Sequence, residues 1–181
     1  MKKREWQTKG TKQLFKNDFV TLFEDDVVQP DGNPGKYAYF EQIPGVNIIA
    51  LDSNNSIYFL RQHRYVVKKE LMQLPGGGIL EGEDPAEVAK NELKEETGIT
   101  AKTWKKLGKF YVAPSLETTW LEVYLATDLD VSDMGHIHQE GNESILEVTK
   151  FSLKEVKKMM KDGEIEDGLT LAALGLFFNQ I

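Results

Sequence analysis

The sequence predicts an α/β fold, because stretches with strand character and stretches with helix character follow one another along one chain of 181 residues. Short runs rich in β-branched and aromatic residues are separated by Gly, Pro, Asn and Asp, as expected of strands joined by turns. Other segments carry the capping residues that begin and end helices. With 40% hydrophobic residues the chain can bury one sizeable core, so we expect a single domain over residues 1–181.

The strands are expected in pairs and then singly. Segments 18–28 and 36–43 flank a turn rich in Pro and Gly and should form a hairpin in an N-terminal β region, residues 1–43. Segments 46–51 and 56–64 look like a second hairpin, and the mostly apolar 46–51 should be buried on both faces. Three further strands are expected near 104–112, 118–126 and 145–151.

The helix expected at 85–97 has the clearest ends. Asp84 is a good N-cap, Pro85 suits the first helical position, and Gly98 can take the left-handed conformation that follows many helices. A second helix should begin with the capping box of Ser152 and Glu155. That helix is expected at 153–161, and a third helix is expected at about 169–179.

Charge and composition exclude several classes of protein. A net charge of −7 argues against non-specific nucleic-acid binding, which depends on lysine and arginine. Without cysteine the chain has neither disulfides nor a thiolate zinc site. The N-terminus lacks the apolar core of a signal peptide, and the most apolar stretch, 169–178, is too short to span a bilayer. We therefore expect a soluble, cytoplasmic protein with no membrane partner.

The helix at 85–97 carries an acidic face. Glu92, Glu95 and Glu96 fall within an arc of about 100°, at the border of an apolar stripe that should face the core. Like charges at these spacings cost a helix about 0.2–0.5 kcal/mol per pair, a penalty that a divalent cation would reverse. The alternative is an ordinary solvated acidic face. The glycine-rich segment 76–83 precedes the helix; it is either a flexible turn or a loop that lets backbone approach a ligand.

Loop and helix together resemble the box of the Nudix hydrolase superfamily. Gly77 and Glu83 stand at the box spacing, and 91–99 reads Asn-Glu-Leu-Lys-Glu-Glu-Thr-Gly-Ile. Each fixed position agrees except Asn91, where the family has arginine. The resemblance implies an α/β/α sandwich in which loop and helix hold Mg²⁺, or alternatively Mn²⁺, against a diphosphate.

The resemblance also implies a set of metal ligands. Glu92 and Glu96 would be direct ligands, Glu95 a direct or water-bridged one, and the Gly76 carbonyl another. Magnesium prefers hard oxygen ligands and keeps several waters, so such a small set suffices. Asn91 departs from the arginine that orients box glutamates in the family, and a nearby residue is expected to compensate.

Beyond the box, the chain resembles the branch of ADP-ribose pyrophosphatases and nucleoside diphosphate sugar hydrolases. The resemblance rests on three parts of the sequence. They are segment 59–65, which contains Gln-His-Arg, segment 73–77, and Pro114, which lies sixteen residues beyond Gly98. By this resemblance Arg64 contacts a substrate phosphate; the alternative is an ion pair with Glu70 or another acid. The residues after Pro114 depart from the fuller branch motif. Glu117, the third of them, either accepts hydrogen bonds from sugar hydroxyls or is a solvated carboxylate.

By the same resemblance, the general base is expected outside the metal ligands, in the loop 130–144. We rank Glu140 first, since the adjacent Gly141 leaves it free to move, and Glu143 second; Glu95 is the candidate within the box. Solvated loop carboxylates are the alternative.

The branch commonly forms homodimers through its N-terminal β region. The aromatic residues there are expected to pack in the core or at such an interface. They are Trp6, Phe15, Phe19 and Phe23.

The sequence leaves three functions to compare. The leading hypothesis is magnesium-dependent hydrolysis of a nucleoside diphosphate sugar, such as ADP-ribose or a nucleotide hexose, to a nucleoside monophosphate and a sugar phosphate. The second is a Nudix pyrophosphatase for another nucleotide. The third is a non-catalytic Nudix-like module that binds such a ligand and regulates a partner, against which the three box glutamates speak.

Overall fold

The computed structural model describes residues 5–135 and 144–180 of the chain. This part of the chain forms nine strands and three helices: six strands precede the first helix, three strands follow it, and the other two helices come last. The strands are β1 (Gln7–Lys16), β2 (Val20–Val28), β3 (Pro34–Gln42), β4 (Gly45–Ala50), β5 (Ser56–Arg64), β6 (Lys69–Gln73), β7 (Thr100–Tyr111), β8 (Trp120–Asp130) and β9 (Ile145–Ser152). The helices are α1 (Pro85–Thr97), α2 (Leu153–Asp162) and α3 (Gly168–Phe178).

The chain divides into two compact units. Met1–Pro44 and Tyr111–Trp120 form the first, which we call the N-terminal unit. Gly45–Phe110 and Leu121–Ile181 form the second, which we call the helical unit because it contains α1, α2 and α3.

The N-terminal unit is built on an antiparallel sheet with the strand order β1-β2-β3. The predicted N-terminal hairpin is confirmed as β2 and β3, which pair from Val20 with Gln42 to Val28 with Pro34. Sequence patterns did not predict β1, whose side chains are exposed along its whole length, so it lacks the alternation of a half-buried strand. The turn that follows β7 is fastened to β3, since the Phe40 N–H donates to the Leu116 carbonyl at 2.8 Å.

The helical unit contains two three-stranded sheets, with the orders β4-β8-β7 and β6-β5-β9. Its core joins side chains from both sheets to side chains from α2 and α3, and includes Ile49, Phe59, Val156, Leu174 and Phe177. The predicted burial of 46–51 is confirmed for β4, all six residues of which are buried. This is the burial expected of a strand that pairs in parallel, as β4 does with β8.

The predicted pairing of 46–51 with 56–64 is wrong. β4 and β5 belong to different sheets, and a single bridge between Leu51 and Ile57 joins them at the turn. β4 instead pairs with β8, which lies more than seventy residues further along the chain, while β5 lies between β6 and β9. The short turn suggested a hairpin, but β4 pairs in parallel with β8, and contacts with α1 and α3 help to bury it although it is the edge strand of its sheet.

The predicted ends of α1 are confirmed. The Asp84 side chain accepts from the backbone N–H groups of Ala86 and Glu87, Pro85 begins the helix, and Gly98 is left-handed with φ 73°. The capping box of α2 is also present. α1 packs on β4 through a face that includes Ala89 and Leu93. None of the helices formed by the described residues reaches the length and apolarity of a membrane span.

Candidate active site

The glycine loop before α1 is fixed to the edge of β4. The Val46 N–H donates to the Gly77 carbonyl at 2.9 Å, and the Ile48 N–H donates to the Pro75 carbonyl at 2.8 Å. Gly45 and Gly78 complete the contact as a bridge. Residues 75–78 of the loop are therefore bonded to β4 in the manner of a short strand.

Two box glutamates lie directly against this loop. The Gly76 N–H donates to Oε2 of Glu96 at 2.8 Å, and Glu96 is only 4% exposed. A Cβ atom at Gly76 would collide with the Val46 carbonyl, and one at Gly77 would collide with the Glu92 carboxylate. Glycine is required at Gly76, where the clash is with backbone, whereas a side chain at Gly77 would displace the Glu92 carboxylate from its place against the loop.

The three glutamates differ in burial. Glu96 is buried, Glu92 is half-buried and Glu95 is exposed, so the acidic arc runs from the loop out to solvent. Lys90 pairs with Glu87, three residues earlier on the helix, at 2.6 Å. Asn91 is exposed on the same helix. The acidic arc thus adjoins the loop, while the helix's own ion pair is made elsewhere.

Glu83 has a structural role in this geometry. Its Oε2 accepts a hydrogen bond from the Leu80 N–H at 2.7 Å, which closes the turn between the glycine loop and the helix. The cap at Asp84 follows at once. The spacing of the box therefore places the loop and the start of α1 in one continuous turn.

The donor set fits a hard divalent cation. Glu92, Glu95, Glu96 and the Gly76 carbonyl offer only oxygen, the donor that magnesium prefers. Among residues 5–135 and 144–180, no three acidic, His or Cys side chains converge into a complete cage. A site that keeps several waters needs no such cage, because water supplies the remaining ligands.

The segment that leaves β8 passes over the end of α1. Gly98 permits this approach, since a Cβ there would collide with the Asp133 carbonyl. The Gly135 N–H then donates to the Thr97 carbonyl at 3.0 Å. The predicted bases Glu140 and Glu143 follow this segment and lie outside the described residues.

Arg64 is exposed at the end of β5, and its Nε donates to Oε1 of Gln73 at 2.6 Å. Glu70, the acid considered as its partner in the sequence, instead pairs with Arg61 at 3.3 Å. Gln73 is buried, so its side chain can hold the Nε atom of Arg64 in a fixed position. The partner was missed because an amide gives no charge pattern to follow in the sequence.

Sequence reasoning also missed Glu122. This buried residue of β8 lies across from Val46, accepts from the Tyr124 hydroxyl at 2.8 Å and pairs with Lys106. Burial works to raise the pKa of Glu122, but the hydrogen bonds from Lys106 and Tyr124 hold that pKa below its ordinary value. A charged residue inside the apolar run of β8 was the available signal.

Glu117 belongs to the N-terminal unit, where it lines a cavity of about 390 Å³. It is half-buried, and its Oε2 accepts from the Thr119 hydroxyl at 3.1 Å. Of the four aromatic residues expected in a core or interface, Trp6, Phe15 and Phe19 are more than half exposed. The first alternative, packing in the core, is therefore wrong for these three residues, and packing at an interface stays a prediction.

Comparison with known proteins places this geometry in a family. The NUDIX domain matches residues 41–173, and the nucleoside diphosphate sugar hydrolase N-terminal domain matches residues 6–40. An ADP-ribose pyrophosphatase of Bacillus subtilis (strain 168) is 29% identical over 96% of this chain and 93% of its own. A methanol dehydrogenase activator of Bacillus methanolicus is 28% identical over 94% of this chain and 91% of its own.

The fold has a solved counterpart. A crystal structure of an ADP compounds hydrolase superposes with a TM-score of 0.83 at 19% identity, covering 97% of this chain and 94% of that one. The predicted α/β class is confirmed by this likeness. Because the NUDIX domain covers most of the chain and includes both the glycine loop and α1, the chain belongs to the Nudix family.

Proposed function

We propose that this protein is a magnesium-dependent hydrolase that cleaves the diphosphate of a nucleoside diphosphate sugar, giving a nucleoside monophosphate and a sugar phosphate. The observation that carries the proposal is the position of Glu92 and Glu96 against the glycine loop, with Glu96 bonded to the Gly76 N–H. A buried and a half-buried carboxylate beside polar backbone form an oxygen-rich site at which a cation can be held close to a diphosphate.

The substrate class is supported by the relatives. Chains named ADP-ribose pyrophosphatase from Bacillus subtilis and from Mycobacterium tuberculosis are each 29% identical over 96% of this chain. The N-terminal match over residues 6–40 is named for nucleoside diphosphate sugar hydrolases. ADP-ribose and nucleotide hexoses are therefore the first substrates to try.

The chain's own residues divide the work. Glu92, Glu95 and Glu96, with the Gly76 carbonyl, would hold the metal. When bound, magnesium supplies positive charge that polarises the phosphoryl oxygens and activates water. The loop keeps its shape through its bonds to β4, so the carboxylates need little rearrangement before the reaction.

Substrate contacts and proton transfer fall to residues outside the box. Arg64, with its Nε held by Gln73, presents the outer part of its guanidinium for a phosphate oxygen. Glu117 would accept hydrogen bonds from sugar hydroxyls. Glu140, with Glu143 as the alternative, would take the proton from the attacking water, because carboxylates committed to a metal are poor proton acceptors.

The proposal includes assembly and location. The exposed aromatic side chains of the N-terminal unit support a homodimer formed through that unit. A cytoplasmic location fits a chain without cysteine.

A regulatory module is the second candidate, since one relative is named methanol dehydrogenase activator. The complete set of box glutamates favours hydrolysis over binding alone. The experiment below separates the two, because a module would bind nucleotide sugars without releasing products.

The test is a screen of nucleotide sugars and nucleoside triphosphates with magnesium or manganese, with products identified by mass. A nucleoside monophosphate and a sugar phosphate should form from one nucleotide sugar only when the metal is present. Glu96→Gln should lower kcat/KM by at least about 10³, equal to roughly 4 kcal/mol of transition-state stabilisation, and weaken magnesium binding.

Glu87→Gln is the matched control for Glu96→Gln. It removes one carboxylate from the same helix at an exposed position paired with Lys90, so rate and metal affinity should stay at the level of the unmodified protein. Equal activity and metal affinity in Glu96→Gln and the unmodified protein would refute the site. If products form only from nucleoside triphosphates, these are the substrates and the assignment to nucleotide sugars is wrong.

A further inference from the structure

Strand β4 contains one amide side chain in an otherwise apolar, buried sequence. The strand reads Gly-Val-Asn-Ile-Ile-Ala, and all six residues are buried. Asn47 is 7% exposed, so more than nine-tenths of it is withdrawn from water. Burying an amide is unfavourable unless the amide is hydrogen-bonded, and an apolar side chain would suit this strand better. The presence of an amide at this position therefore requires an explanation.

Asn47 lies opposite Gly76 of the glycine loop. The N–H groups of Val46 and Ile48, on either side of Asn47, donate to the carbonyls of the two residues on either side of Gly76. A Cβ atom built on Gly76 would lie 2.9 Å from Oδ1 of Asn47. The side-chain oxygen of Asn47 is therefore next to the Cα atom of Gly76.

Gly76 is also the loop residue that meets the acidic arc. Its N–H donates to Oε2 of Glu96 at 2.8 Å, and its carbonyl is one of the proposed metal ligands. Gly76 is thus flanked by two buried side chains, those of Asn47 and Glu96. One of them comes from β4 and the other from α1.

The Asn47 amide forms no hydrogen bond with another residue that the structure describes. It is also not completely enclosed. Within the described part of the chain, the sole fully enclosed side-chain atom without a hydrogen-bond partner is Oδ1 of Asp25. The amide of Asn47 is therefore left unpaired by the described protein and stays within reach of a water molecule.

A hydrated cation provides such water. Magnesium keeps several of its waters when proteins bind it, and each of these waters has O–H groups to donate. Protein groups that bond to the first layer of ligands orient them, and the loss of such a group commonly lowers metal affinity by about 10–100-fold. Asn47 offers an acceptor oxygen next to Gly76, which supplies one of the proposed ligands.

We propose that Asn47 is a positioning residue of the metal site, whose Oδ1 atom accepts a hydrogen bond from a water on the cation that Glu96 and the Gly76 carbonyl hold. The inference rests on the proposed function, because it assumes magnesium at these ligands. It explains why β4 contains an amide where its other residues are apolar or glycine: the amide serves the metal at some expense of stability.

The first test is Asn47→Leu in the full-length protein, because it separates metal binding from stability. Leucine has a similar volume and no polar atom, so the midpoint of urea unfolding without magnesium should stay the same or rise. Calorimetric titration with magnesium should show binding weaker by about tenfold or more. A residue that only stabilised β4 would give the opposite pair of results, a lower midpoint with unchanged magnesium affinity.

Two further variants identify the atom and control for packing. Asn47→Asp keeps the outline and an acceptor oxygen, so magnesium affinity should stay within about threefold of the unmodified protein or increase. Its urea midpoint without magnesium should fall, because the variant buries a charge. Ile49→Val is the matched control: it removes one carbon from a buried side chain on the same strand and the same face. It should lower the midpoint and leave magnesium affinity unchanged.

Unchanged magnesium affinity in Asn47→Leu would overturn the proposal, and so would an equal loss of affinity in Asn47→Leu and Asn47→Asp. If the unmodified protein binds no magnesium, the metal site is wrong and the role of Asn47 is wrong with it. If the unmodified protein binds magnesium but cleaves no nucleotide sugar, only the proposed reaction fails. The magnesium affinities of the variants then still decide the role of Asn47.

Discussion

The helical unit and the N-terminal unit differ in how they bury apolar side chains. Phe59, Leu174 and Phe177 belong to a contiguous core in the helical unit, and each is at most 1% exposed. In the described part of the N-terminal unit Val27 is the sole buried apolar side chain, while Phe19 is 65% exposed. Since apolar burial is the main favourable term in folding, the helical unit carries its own core and the N-terminal unit gains less from its own packing.

The two units therefore differ in role: the helical unit supplies most of the buried core, and the N-terminal unit supplies surfaces suited to binding other molecules. The helical unit contains the glycine loop and the glutamates proposed for the chemistry, supported by a packed core. The N-terminal unit offers exposed rings, a polar strand β1 and a cavity, which are features of surfaces that bind something else.

The largest effect concerns the chemistry assigned to the helical unit. If Glu140 is the base, Glu140→Gln should lower kcat by roughly 10²–10⁴ and leave magnesium affinity intact, because the residue takes a proton and does not hold the metal. Steady-state rates and a magnesium titration measure the two quantities. Glu143→Gln is the companion variant. If kcat is unchanged in Glu140→Gln and falls in Glu143→Gln, Glu143 is the general base. If neither variant changes the rate, the general base lies in the box.

The second prediction tests the difference in packing. Phe177→Ala should lower the free energy of unfolding by about 3–5 kcal/mol, because it leaves a cavity in the core of the helical unit. Phe15→Ala, at a side chain that is 52% exposed, should change that free energy by about 0.5 kcal/mol or less in dilute protein. Urea unfolding measures both.

The matched pair also reports on assembly. At higher protein concentration Phe15→Ala should lose stability relative to the unmodified protein if the N-terminal unit forms the dimer. Similar losses for the two variants at high dilution would mean that the N-terminal unit is packed as tightly as the helical unit, and the comparison would fail.

The third prediction concerns Glu122 within the helical unit. Its lowered pKa means that the folded state prefers the carboxylate, so the stabilisation is complete above the ordinary glutamate pKa of about 4.3 and is lost as pH falls through the lower folded value. Glu122→Gln should therefore cost about 1–3 kcal/mol of unfolding free energy at pH 7. The difference from the unmodified protein should shrink in acid.

The measurement is urea unfolding at several pH values. Glu87→Gln serves as control, since its exposed pair with Lys90 contributes about 1 kcal/mol or less. A difference for Glu122→Gln that stays constant into acid would show that its contacts do not depend on its charge.

The smallest effect is expected at Asn91. Asn91→Arg should leave kcat/KM unchanged or raise it, because arginine can hold a box carboxylate with two hydrogen bonds and the exposed position accepts a longer side chain. Steady-state kinetics with the preferred substrate decide the matter. A large loss would mean that the site is adapted to asparagine.

The sequence predicted α1 well for a local reason. The Asp84 cap, Pro85 and Gly98 act on backbone groups within a few positions of themselves, so their spacing was sufficient. Sheet pairing was predicted less well: the turn between β4 and β5 suggested a hairpin, and nothing near it indicated β8. The polar sequence of β1 gave no alternation, because the strand has no buried face.

Local spacing was enough to predict the ends of α1, the arc of Glu92, Glu95 and Glu96, and the glycines before it, since each depends on positions along a helix or turn. Only the tertiary structure decided which of these carboxylates is buried. It also brought Glu122 beside Val46 and left the Oδ1 atom of Asp25 without a hydrogen-bond partner among the described residues. These features join residues far apart in the chain, so pairing between strands, and not local spacing, produces them.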